Sequence, residues 1–180
     1  SLWEAVDTQL RAIGARRVLG EARDEPVAQA FAAAHGFAVS AATTVLALDP
    51  RALPAPEPPE PPIEVRPFRS FGDDLEELFA VDLSATLDEP GEWDVSGMTL
   101  GAWRTFTVEN PTFSLDASNA ALVDGRIVGV TLLYVDDLTG RALNGGTGVM
   151  RTHRGQGLAT LMKRHSLAAA AAAGVTRVIT

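Results

Sequence analysis

Helices and strands alternate along this chain, which predicts an α/β fold, and three stretches carry the prediction. Residues 120–123 and 126–134, apolar and rich in β-branched types, flank Asp124-Gly125 and read as a hairpin with the turn such connections prefer. Residues 144–173 read as a strand, a glycine-rich turn and a long helix. Between the first half and that hairpin, Leu75, Leu78, Phe79 and Leu83 recur at helical spacing. With 180 residues, 46% apolar content and 21% charge, the chain is long and apolar enough for a packed core.

In chain order, residues 2–13 read as the end of a helix stopped by Gly14, and residues 16–22 as a short strand. Asp24-Glu25-Pro26 starts a second helix, where acidic residues suit the dipole and proline loses no hydrogen bond. That helix runs through Val27, Ala30, Phe31 and Ala34 to Gly36, and residues 37–49 read as a strand or a bent pair of strands. Seven of the thirteen residues 50–62 are proline, which predicts an extended, semi-rigid linker between domains. A strand follows over residues 63–69. Beyond the Leu75 helix come a loop over 88–94 and a second helix from about Thr99, with Leu100, Trp103, Phe106 and Thr107 on one face.

Residues 144–159 hold the candidate site. Two glycines, Gly155 and Gly157, at the opening of the last helix leave no side chain over its free N–H groups, which then face an anion. Arg154 adds positive charge. The Walker pattern is excluded because no Lys-Ser/Thr follows Gly157, and the dinucleotide fingerprint because it needs a third small residue where Thr160 stands and a βαβ unit starting with that strand. Glycines 145, 146 and 148 inside the preceding strand mark a bulge or a close backbone approach.

The run from Val149 through Met150, Arg151, Thr152, His153, Arg154, Gly155, Gln156, Gly157 and Leu158 to Ala159 resembles the acyl-coenzyme A signature of the GNAT superfamily of N-acetyltransferases. Arg154, Gly157 and Ala159 fill its fixed positions; Arg151 stands where many members have proline. The order of elements over 63–180 resembles that fold too, a mixed twisted sheet with flanking helices. The resemblance implies that the strand holds the pantetheine arm, that the turn's amides hold the pyrophosphate, and that Val149, Met150, Arg151, Arg154, Gly155, Gln156, Gly157, Leu158 and Ala159 form the acetyl-CoA site. Residues 28–37 resemble the GNAT helix that ends in Gly-Phe, with Ala32 where many members place an acidic tyrosine. His35 reads as a helix cap rather than a substitute.

The two ends of the chain resemble each other at a shift of 160: residues 13–19 and 173–179 share Gly, Arg and Val in register. Residues 1–49 are then expected to be the C-terminal half of one GNAT-like unit and 63–180 the N-terminal part of a second, in an arrangement resembling double-domain acetyltransferases of the mycothiol synthase type. Either more chain or residues 1–49 must cover the sheet edge that this leaves.

Function follows from charge and chemistry. The formal charge of −8 disfavours nucleic-acid binding. Residues 64–124 carry 13 Asp and Glu against Arg66, Arg69 and Arg104, while residues 138–180 carry none and six Arg or Lys. An anionic donor and an amine acceptor suit those two fields. With no cysteine there is no acyl-cysteine intermediate and no thiolate metal site, so direct transfer without a metal is expected, and the resemblance implies acetyl-CoA as cosubstrate. No apolar run is long enough for a bilayer, and no signal segment opens the chain, so a cytoplasmic protein without a membrane partner is expected. The expected acceptor is a small-molecule amine, with a second GNAT unit in the same chain or another copy as partner. The alternative is a non-catalytic acyl-CoA-binding or scaffold repeat. Catalytic residues stay unassigned: Glu89, Glu92 and Asp94 read mainly as solvated loop charges, and Tyr134 as a strand residue at the sheet edge.

Overall fold

The glycines and turn residues fix where the chain reverses, and the computed structural model, which describes residues 1–88 and 95–180, follows most of them. Two compact units divide between Thr44 and Val45, five residues before the expected boundary.

The first unit holds helices α1 (Leu2–Ala12) and α2 (Pro26–Ala34). A capping box between Ser1 and Glu4 closes the start of α1, and Pro26 opens α2 as expected. Trp3, Phe31, His35 and Phe37 stack together, with the Trp3 and His35 rings 4.6 Å apart. His35 is the C-cap of α2. The expected strand over residues 16–22 does not form, and the one over 37–49 shrinks to Ala47–Leu48. A strand needs a neighbour to bond, and this unit supplies none. None of residues 1–44 is buried.

In the second unit, β1 (Ala47–Leu48), β2 (Ile63–Pro67), β3 (Asn119–Val123), β4 (Arg126–Asp136), β5 (Arg141–Val149) and β6 (Arg177–Ile179) form one mixed sheet in the order β1-β6-β5-β4-β3-β2. Only β5 and β6 are parallel. The hairpin turn has Asp124 and Gly125 at φ 50° and 77°, the left-handed pair that a two-residue turn needs. β1 covers the edge of β6, with Leu46 and Thr180 exchanging backbone hydrogen bonds. Residues 45–48 thus meet the expected need for an edge cover. The linker is shorter than expected as well, because Pro50–Ala52 form a 3-10 turn with Pro50 buried, lying on α5.

Helices α3 (Glu76–Thr86) and α4 (Leu100–Trp103) cover one face, packing Leu78, Val81 and Trp103 on Phe68, Val130 and Leu132. Trp103 donates from Nε1 to Asp82 at 2.7 Å and ties the two helices together. Thr99 caps α4, but a π-helical turn over Arg104–Val108 widens the helix. Phe106 is therefore exposed instead of sharing the face of Trp103 and Thr107. On the opposite face, α5 (Leu158–Ala172) buries Leu158, Met162 and Ala170 against Val128, Ala142 and Val178. The segment β5-α5-β6 is a parallel βαβ unit. Only Thr160 therefore still argues against a dinucleotide fold.

The ends of α1 and α5 match in register. Ile13, Gly14 and Ala15 donate to Gln9, Arg11 and Leu10, and Ala173, Gly174 and Val175 donate to Ala169, Ala171 and Ala170, each partner displaced by 160. Gly14 and Gly174 are both left-handed, at φ 70° and 85°.

Candidate acyl-donor site

The site begins in β5. Leu132 pairs with Gly146 and Leu133 with Asn144, so Gly145 is the extra residue of a bulge. The expectation holds for Gly145 and Gly148 and not for Gly146, which pairs with Leu132 and has nothing within 4 Å of where a Cβ would stand. A side chain on Gly145 would meet the Tyr134 ring at 2.3 Å, and one on Gly148 would meet Cβ of Ala85 at 2.1 Å. The second contact lets the C-terminal end of α3 lie directly on β5. On its side away from β4, β5 pairs with β6 only at residues 141–143; among the described residues no strand pairs with the rest of that edge.

From Val149 the chain makes a 3-10 turn over Arg151–His153 and reaches Gly155 and Gly157, at φ 78° and 77°. Only glycine adopts that conformation freely. Gly157 is the N-cap of α5, and no side chain caps the helix. Nothing lies within 4 Å of where a Cβ would stand on either glycine. The amides of residues 155–160 have no acceptor among the described residues. An open, uncapped row of donors at the positive end of a 15-residue helix holds an anion well.

The nine expected site residues divide by what their side chains do. Val149 and Leu158 are buried in the core and Ala159 packs against it, so only their backbones face the site. Met150 donates its amide to Val128 at 2.8 Å and packs against the α3 face. Gln156 is exposed.

The arginines are held by protein oxygens. Arg154 donates from Nε to the Val149 carbonyl at 2.9 Å and from an η-nitrogen to Asp88 at 2.6 Å. Arg151 forks onto the same carboxylate, with Nε at 2.7 Å from one oxygen and an η-nitrogen on the other. Asp88 follows α3, and its side chain is only 14% exposed. The two guanidiniums, Arg151's foremost, hold its carboxyl down at about 2. Sequence reasoning missed Asp88. No local pattern marks it, because its partners lie 63 and 66 residues away.

Beside the bulge a cavity of about 380 Å³ is lined by Asn110, Thr112, Tyr134, Asp136, Leu143 and Ile179, among others. Tyr134 lies on β4, an interior strand, and not at the sheet edge as expected. Burial, the larger effect, raises its phenol above the ordinary value despite a hydrogen bond with Thr107. Glu89, Glu92 and Asp94 lie outside the described residues.

Residues 72–180 match the model of the Acetyltransferase (GNAT) family. The chain belongs to that family. Among solved structures, a GCN5-related N-acetyltransferase from Sphaerobacter thermophilus is 26% identical with a TM-score of 0.60, over 75% of this chain and 40% of that one. A GCN5-related N-acetyltransferase from Kribbella flavida is 22% identical with a TM-score of 0.59, over 86% and 53%. A fungal multi-domain GH3 β-N-acetylglucosaminidase, described as containing a GCN5-related glucosamine N-acetyltransferase region, shares the fold at 16% identity and a TM-score of 0.60, over 92% and 21%. This GNAT chain thus spans about half or less of the length of those structures. No curated protein matches its sequence. Among the described residues, no helix is long and apolar enough to cross a membrane.

Proposed function

We propose that this chain is an acetyl-CoA-dependent N-acetyltransferase that passes acetyl directly to the amine of a small molecule. The observation carrying the reading is the uncapped N-terminus of α5, where the six amides from Gly155 to Thr160 have no acceptor among the described residues and nothing lies within 4 Å of where a Cβ would stand on Gly155 or Gly157. Those amides suit the diphosphate of coenzyme A. The outer edge of β5, which pairs with no strand beyond Leu143 among the described residues, suits the amide-bearing pantetheine arm, which would bond to it as a strand does.

The reaction would proceed at the bulge. The neutral amine nitrogen attacks the thioester carbon, a C–N bond forms, and the C–S bond breaks. The electron pair leaves on sulfur as thiolate, and the proton lost by the attacking nitrogen balances the one the thiolate takes up. Backbone N–H groups released by the bulge would stabilise the oxyanion. No cysteine is present to carry the acetyl group, in keeping with direct transfer. The cavity beside Tyr134 is of the size that small ligands occupy, which supports a small acceptor over a macromolecular one.

Thiol release from acetyl-CoA across a library of amines tests the reading. Turnover with one or more small amines is expected for the protein and is lost in Gly157→Glu, whose carboxylate would lie over the amides. Coenzyme binding without turnover on any amine would favour a non-catalytic binding repeat instead.

The tandem arrangement is part of the same proposal. Residues 1–44 would be the end of a first GNAT-like unit whose sheet lies elsewhere in a longer protein. The register-matched helix ends at Gly14 and Gly174, and the lack of any buried residue in 1–44, support it. The Gly-based end alone is generic, since α2 closes in the same way at Gly36; the common shift with sequence similarity gives it weight. An intact mass of the natural product near 19.0 kDa would refute the tandem arrangement.

A further inference from the structure

We infer that Asp88 is a positioning residue of the donor site: one carboxylate clamps both arginines of the turn and so holds the amides of residues 155–160 in line for a diphosphate. This rests on the acetyltransferase reading and adds to it a residue outside the turn itself.

The turn is weakly held by its own backbone. Between Val149 and Gly155 it makes two internal backbone hydrogen bonds, His153 to Met150 at 2.8 Å and a long one from Arg154 to Arg151 at 3.4 Å. Two left-handed glycines follow, the residues with the most backbone freedom to lose. Something must limit that freedom before the amides converge on one ligand, or binding carries the whole ordering cost.

Asp88 meets the need from outside. The close contact of Ala85 with Gly148 lays the end of α3 on β5, and Asp88 follows three residues later, bonded back through its amide to the Ala85 carbonyl. Its carboxylate takes a two-pronged bond from Arg151 and a third from Arg154. Arg154 closes the loop onto the Val149 carbonyl. Paired forks of this kind fix direction as well as distance, so both ends of the turn are anchored to one helix. Asp88 is mostly shielded while Arg151 is 77% exposed, so the acid is the fixed post and the arginines are the tethers.

If the clamp acts by stiffening the turn, another source of stiffness should replace it. Arg151 is the first residue of the 3-10 turn and its amide has no acceptor among the described residues. It follows Met150 at φ −52° and ψ 140°, a backbone that accepts a following proline. Arg151→Pro is therefore a rescue variant that restores rigidity without the ion pair, and because it returns the turn from two net positive charges to the wild-type one, a recovery of affinity cannot come from added positive charge.

The experiment is calorimetric binding of two probes, coenzyme A and pantetheine, the second lacking the diphosphate, to wild type, Asp88→Asn and Asp88→Asn/Arg151→Pro. Asp88→Asn should weaken coenzyme A about tenfold or more, leave pantetheine within about twofold, and regain most of the loss in the double variant. Asp88→Glu, with its carboxylate one methylene further out, should fall between wild type and Asp88→Asn, and it reads the same ratio if Asp88→Asn does not fold. Unchanged or tighter coenzyme A binding in Asp88→Asn would overturn the inference, because the carboxylate would then only neutralise the arginines. Equal loss for both probes, or no recovery in the double variant, would overturn it too. Wild type that binds no coenzyme A would remove the acetyltransferase reading and this inference together, whereas tight wild-type binding with no effect of Asp88→Asn removes the inference alone.

Discussion

Replacing Gly157 by alanine separates backbone strain from ligand binding. Gly157 sits at φ 77° with nothing within 4 Å of the added carbon, so the methyl meets no protein atom and the stability cost is conformational alone. That cost is about 1–2 kcal/mol for an L-residue in the left-handed region. Gly174, at φ 85° beyond the other end of the same helix, is equally open and serves as the matched control. Both variants should lower the melting temperature by about 2–8 °C. Only Gly157→Ala places its methyl over the amides of the helix mouth. Losing one charge-assisted hydrogen bond there costs about 1.5–3 kcal/mol, or roughly ten- to hundredfold in affinity. Differential scanning calorimetry reads the first effect, and titration with coenzyme A reads the second. Equal affinities for Gly157→Ala and Gly174→Ala, whether both lowered or both intact, would refute the placement of the anion at the start of α5.

Three further outcomes follow from contacts on the sheet. Gly148→Ala forces its new carbon to 2.1 Å from Cβ of Ala85, so α3 must lift, at about 1–3 kcal/mol in urea denaturation; adding Ala85→Gly should recover part of that, and strict additivity of the two would show that they do not meet. Asp88 has its folded-state pKa depressed to about 2, so the stability it confers is fully present above its unfolded value near ~3.9 and is lost as pH falls from there toward 2. The stability difference between wild type and Asp88→Asn should accordingly be flat at neutral pH and shrink below about pH 4 in acid-denaturation series. Tyr134 is the sole tyrosine, so ultraviolet absorbance reads its ionisation directly: buried, it should titrate above the ordinary value, and stability should fall as pH rises through that ionisation. A phenol titrating like a free tyrosine would mean that the ring is not packed over Gly145.

What the sequence disclosed and what it hid divide by the range of the interaction responsible. The Asp124-Gly125 turn, the glycine mouth of α5 and the crowding at Gly145 and Gly148 were legible because a backbone conformation or a missing side chain is a property of one position. The strands expected over 16–22 and 37–49 failed for the opposite reason. The Val, Thr and Leu of 37–49 and the short Val18-Leu19 run state at most a capacity to pair, and a strand exists only where a partner stands; residues 46–48 found Thr180 and β6, and residues 16–22 found no strand. Phe106 was misread because a period of 3.6 was applied across a segment that winds as a π-helix.

The arginines show the same limit at the site. Positive charge at 151 and 154 was visible, and its use was not, because Asp88 arrives through tertiary packing of α3 on a strand that carries no side chain at residue 148. The consequence reaches the chemistry. With two arginines and one aspartate the turn carries a net single positive charge, not two, and two of the donors on Arg154 are already directed at protein oxygens. An anion at this site is therefore held chiefly by backbone amides, whose direction is set by the start of α5 and the clamped turn. Salt should then weaken donor binding less steeply than two free arginines would require, since exposed charge pairs are screened and helix-terminal amides at contact distance much less so. A salt dependence as steep as that of a freely exposed pair of guanidiniums would place the arginines, and not the amides, at the centre of recognition.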